Sequence, residues 1–93
     1  MSNVKFIYFN IETIDGESLE NRLRKNDKYV AHIEIKPGLL LVNFRGTARE
    51  LYDSLSDLTM DNSILIYNLE KDSDAYWGYM NRNIWEWIKT NNN

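Results

Sequence analysis

Ninety-three residues of which 43% are apolar can build one modest hydrophobic core and not two. The net charge of −3, from 14 acidic and 11 basic residues, has the wrong sign for a typical nucleic-acid binder and is too mild for a nucleic-acid mimic. The absence of cysteine points away from a small secreted disulfide scaffold and towards a cytoplasmic setting. No signal peptide is recognisable, and the apolar runs fall far short of the ~20 residues a membrane-spanning helix needs. The twelve Asn residues, with abundant Ile and Lys, suggest an A/T-rich coding sequence, as in a bacterium of low G+C content or its phage.

Val4 to Ile11 (VKFIYFNI) is apolar on both alternating faces, Val4, Phe6 and Tyr8 on one and Ile7, Phe9 and Ile11 on the other. Such a run predicts a central strand covered on both sides. Asp15-Gly16 then opens a short helix over 17–26, with Leu19 and Leu23 one turn apart and acids ahead of bases, the order the helix dipole prefers. Residues 28–36 alternate: Tyr29, Ala31, Ile33 and Ile35 face the core, while Lys28, His32, Glu34 and Lys36 face solvent. Pro37-Gly38 reads as a turn, and Leu39 to Arg45 returns as the second arm of a hairpin.

Thr47-Ala48-Arg49-Glu50 has the spacing of a capping box and starts a helix expected to reach Leu58, with Ala48, Leu51, Tyr52, Leu55 and Leu58 on its buried face. Ser63 to Glu70 (SILIYNLE) is apolar enough to read as an internal strand. Asp74 is placed to cap a last helix over 75–89, whose buried stripe is Tyr76, Trp77, Met80, Ile84, Trp87 and Ile88. A strand over 84–90 competes, but its alternation covers fewer residues than the helical stripe. The whole chain reads as one domain with a frayed tail at 91–93. Its element order, βαββαβ with an additional C-terminal helix, predicts an α+β fold of ferredoxin-like order: a four-stranded, mainly antiparallel sheet with two helices on one face.

Groups that could carry catalysis are sparse. His32 is the lone histidine and is expected at the surface, and the Cys and His clusters of zinc sites are absent from the sequence. Phe9-Asn10-Ile11-Glu12-Thr13 resembles the first-strand motif of DnaQ-like exonucleases, but Asn10 stands where a metal-binding Asp belongs, leaving one carboxylate to hold two cations. Ile64 to Leu69 (ILIYNL) superficially resembles the short strand signature of RNA-recognition motifs, yet Leu65 occupies the stacking position and the strand is fourth in order. No glycine-rich phosphate loop is present among four Gly. The sequence therefore points to a non-enzymatic protein without metal or cofactor.

Two surface features remain. Glu50, Asp53 and Asp57 lie along the helix face opposite the Leu stripe, Asp61 follows, and Glu70, Asp72 and Asp74 add to an acidic second half. Tyr79 and Trp85 are expected to point away from the buried stripe of the last helix, where exposed aromatics often anchor interfaces. Together they suggest an inhibitor of the immunity-protein, antitoxin or phage anti-defence kind, docking on a protein with a basic surface such as a nuclease or toxin. The alternative is a module that self-associates, as a homodimer, through a sheet edge or the aromatic helix. Nucleic-acid binding ranks behind both.

Overall fold

The structure, a computed structural model, describes residues 3–58, 64–69 and 82–91. Its elements follow as β1 (Val4–Phe9), α1 (Gly16–Arg24), β2 (Tyr29–Lys36), β3 (Leu39–Phe44), α2 (Ala48–Ser54), β4 (Ile64–Asn68) and α3 (Arg82–Asn91). The strands form one sheet in the order β2-β3-β1-β4, each neighbouring pair antiparallel. This is the ferredoxin-like order that the sequence predicts.

Strand alternation divides the apolar residues between two cores, one on each face of the sheet, rather than the single core expected from the length, because a sheet with helices on both sides buries both of its faces. Ile7 and Phe9 of β1 and Leu40, Val42 and Phe44 of β3 point to one face, where Leu19 and Leu23 of α1 and Leu51 and Leu55 of α2 close over them. Val4 and Leu41 point to the other face and, with Leu69, are covered by Ile84 and Ile88 of α3. The last helix therefore lies across the sheet from the first two. The helix reading of 84–90 holds and the competing strand does not. The part of that stripe on Tyr76, Trp77 and Met80, with the Asp74 cap, falls outside the described residues.

Local chemistry sets the boundaries. Asp15 caps α1 by accepting from the Ser18 N–H, and Thr47 and Glu50 complete the expected capping box on α2. The β2–β3 hairpin turns on Pro37-Gly38, with Gly38 at φ 90. There the Phe9 N–H donates to the Gly38 carbonyl at 2.9 Å, and a Cβ on Gly38 would lie 2.7 Å from the Phe9 carbonyl oxygen. Only glycine meets both demands.

Several expectations are corrected. β1 ends at Phe9, because Asn10 folds the chain into a turn: its side chain accepts from the Glu12 N–H at 2.9 Å and its carbonyl from the Ile14 N–H at 2.9 Å. Ile11 is consequently exposed. β2 does not alternate strictly. Its register against β3 slips between Tyr29 and Ala31, so Tyr29 pairs with Phe44 and Ala31 with Asn43. This bulge places Tyr29 and His32 on the same face, the one under α1, and the His32 side chain is largely covered rather than at the surface. α2 is regular only to Ser54; turns after it still carry Leu55 and Leu58 to the core, while Tyr52 is exposed.

Among the described residues β4 lies at a sheet edge and is not internal: its apolar residues divide, Ile64 and Ile66 packing on the first core and Leu65 and Tyr67 facing solvent. Trp85 does not point clear of the fold; it is half-buried against the second core, as Trp87 is. Asn91 is no frayed tail either. It ends α3, donating to the Trp87 carbonyl at 2.9 Å and accepting from Asn43 of β3 at 3.0 Å.

Candidate functional site

Glu50 and Asp53 sit on the outer face of α2 as expected, whereas Asp57 falls in the turns beyond its end at Ser54; each has a basic partner. Glu50 closes the capping box by accepting from the Thr47 N–H at 3.0 Å and also takes a hydrogen bond from Lys28 Nζ. That lysine, with the Thr47 backbone, holds the Glu50 carboxyl down at about 2. Asp53 pairs with Arg49 one turn earlier at 3.2 Å. Asp57 receives a two-pronged contact from Arg22 of α1, one arm at 2.7 Å, which lowers its pKa. The α2 face is thus a lattice of paired charges that ties α2 to α1 and to the start of β2, with little net field of its own. Asp61, Glu70, Asp72, Asp74 and Tyr79 lie outside the described residues. Trp85 lies across the sheet from α2, so the structure does not bring it together with the α2 acids.

Two polar groups are built into the first face. His32 Nδ1 lies 2.7 Å from the Tyr29 hydroxyl and its Nε2 lies 2.7 Å from Glu20 Oε1. A carboxylate only accepts, so a proton on Nε2 and a hydroxyl donating to Nδ1 satisfy the whole line. The row fastens α1 to β2. Lys5 is fully buried with its ammonium 3.3 Å from the Phe44 carbonyl oxygen. Burial pulls its pKa down, and Glu50 partly opposes this.

Comparison with family models, with curated proteins and with solved structures finds no match to this chain.

The surface with an unexplained composition lies on the sheet face that α3 covers only in part. Tyr8 of β1 stands opposite Leu65 of β4, and Phe6 opposite Tyr67. The Phe6 and Tyr67 rings stack with centroids 4.9 Å apart, which holds Tyr67 in place. Tyr8, Leu65 and Tyr67 are 54%, 59% and 46% exposed, and they are neighbours on one face. Single exposed apolar residues are ordinary; a contiguous aromatic and aliphatic cluster is not. Tyr8 also lines an open cavity of about 500 Å³, where Ile11, Glu12 and Lys36 meet at the end of β1. Among the described residues, no group of three or more His, Cys, Asp or Glu is placed to hold a metal ion, and no helix is long and apolar enough to cross a membrane.

Sequence reasoning missed Tyr8, Leu65 and Tyr67 because it read both strands as covered on two sides. One available signal was tyrosine at Tyr8 and Tyr67, a residue with an apolar body and a hydroxyl that favours water.

Proposed function

We propose that this chain is a non-enzymatic protein-binding module that engages its partner through the exposed Tyr8–Leu65–Tyr67 surface. The observation that carries the reading is the contiguity of these three side chains across β1 and β4, the latter at a sheet edge among the described residues. Tyrosine and aliphatic side chains grouped this way suit the centre of an interface, and the neighbouring Glu12 and Lys36 supply a polar rim. The stoichiometric-inhibitor role expected from size and from the poverty in catalytic groups is retained within this proposal. The docking surface is moved. Glu50, Asp53 and Asp57 are already neutralised by Lys28, Arg49 and Arg22, which weakens the case for an acidic face reaching a basic cleft.

The test is quantitative co-purification from the native host with three baits: wild type, Tyr8→Ser/Leu65→Ser, and Asp53→Lys. The expected result is one protein recovered near equimolar with wild type and with Asp53→Lys. The double serine variant, still folded by circular dichroism, should lose it by about tenfold or more. A partner retained by the double serine variant but lost by Asp53→Lys would return the interface to α2. Recovery of RNA or DNA instead of protein would overturn the reading.

A further inference from the structure

The two edges of the sheet differ in a way that bears on the partner. β2, at one edge, carries His32, Glu34 and Lys36 and is bulged, both features that discourage an incoming strand. β4, at the other edge, reads ILIYN: no charge, no proline and no bulge against β1. Among the described residues its outer side has no strand partner.

The hydrogen-bond pattern fixes which backbone groups that side presents. The Leu69 N–H donates to the Val4 carbonyl at 2.8 Å. Bonded and non-bonded pairs alternate along an antiparallel ladder, so Leu65 and Tyr67 bond inward to β1, while Ile64, Ile66 and Asn68 turn their N–H and C=O outward.

We propose that a second copy of this chain pairs antiparallel with β4, about a twofold axis at Ile66, to make one continuous sheet through both copies. The proposal rests on the reading of the Tyr8–Leu65–Tyr67 surface as an interaction surface. It names an occupant because the strand is complementary to itself. Centred on Ile66, the outward groups of Ile64 meet those of Asn68 in the second copy, and Ile66 meets its own equivalent, so every outward donor finds an acceptor. Leu65 then stands opposite Tyr67 of the second copy, twice over, at the non-bonded positions where side chains approach most closely. An uncharged strand meets no like charge in its twin, as charged β2 would.

Area sets the strength. About half of each of the three exposed side chains is available, roughly 100 Å² apiece for groups of this size. That is well below the ~800 Å² per partner of a standard interface, so the dimer is weak and concentration-dependent.

The experiment is sedimentation equilibrium of the full chain across a micromolar-to-millimolar series, with amide exchange by NMR at both ends. The apparent mass should approach twice that of the monomer, and the Ile64, Ile66 and Asn68 amides should become protected as concentration rises. Leu65→Lys places a charge at the pair, and Asn68→Pro removes an outward N–H without touching the bonds to β1; both should hold the chain monomeric. A wild type that stays monomeric to millimolar concentration, or a dimer untouched by both variants, overturns the pairing. A monomer whose partner is still lost in Tyr8→Ser/Leu65→Ser overturns the pairing alone and leaves the binding-module reading standing.

Discussion

Ile88→Ala and Leu65→Ala remove the same amount of side chain from opposite environments. Ile88 is 3% exposed on the sheet-facing side of α3, against Val4, Leu41 and Leu69, whereas Leu65 is 59% exposed on β4. Either change deletes three carbons. At ~0.8 kcal/mol per buried methylene, the transfer contribution at Ile88 is about 2.4 kcal/mol. A residual cavity adds to this and brings the cost to about 3 kcal/mol. Leu65 keeps only about two-fifths of its surface covered and leaves no enclosed cavity, so its cost is about 1 kcal/mol or less. For a domain of this length the Ile88 variant should melt roughly 15 °C lower, and the Leu65 variant only a few degrees lower. Urea unfolding followed by far-UV circular dichroism, at concentrations low enough to keep the chain monomeric, measures both. If Ile88→Ala costs under about 1 kcal/mol, α3 is not packed on the sheet as described. If Leu65→Ala matches Ile88→Ala, Leu65 is covered and the proposed interaction surface does not exist. A fall in the denaturant slope of the Ile88 variant would show α3 undocking ahead of the rest.

Two further predictions probe positions fixed by backbone and by charge. Gly38→Ala should cost about 1–2 kcal/mol or more, since it forces a Cβ onto a positive-φ residue and against the Phe9 carbonyl; thermal unfolding reads this, and an unchanged midpoint would refute it. Glu50 and Lys5 should shape opposite ends of the pH–stability profile. The Glu50 carboxyl sits at about 2 in the fold against an ordinary 4.5, so its contribution is present above 4.5 and is lost as pH falls towards 2. Lys5 is depressed below 10.5, so between its folded value and 10.5 the unfolded chain holds the extra proton and stability rises with pH. Unfolding midpoints across pH should therefore show a shallower acid limb in Glu50→Gln and a lost alkaline rise in Lys5→Met. Profiles parallel to wild type would contradict both assignments.

By itself the sequence determined the elements and their order, because these depend on neighbours along the chain. Thr47 and Glu50 close a capping box within four residues, Asp15 caps α1 from three residues away, and Pro37-Gly38 turns the hairpin with no outside help. Two-sided burial of β1 and the helical spacing of Ile84 and Ile88 were legible too, although the length alone pointed to one core where the fold has two. Only the tertiary structure decided what each polar or half-apolar residue meets. Asp57 finds its counter-ion 35 residues away in Arg22, Glu50 finds Lys28 at 22 residues, and His32 is drawn inward by a bulge that pairing with β3 imposes. Which strand lies at the edge is likewise settled by pairing among the described residues, and Leu65 and Tyr67, which look like core residues in the sequence, become surface because α3 covers only part of the sheet face they share with Tyr8. Local chemistry acts over one turn of chain and can be read along it. Ion pairs, burial and exposure depend on segments that meet only after the sheet has formed.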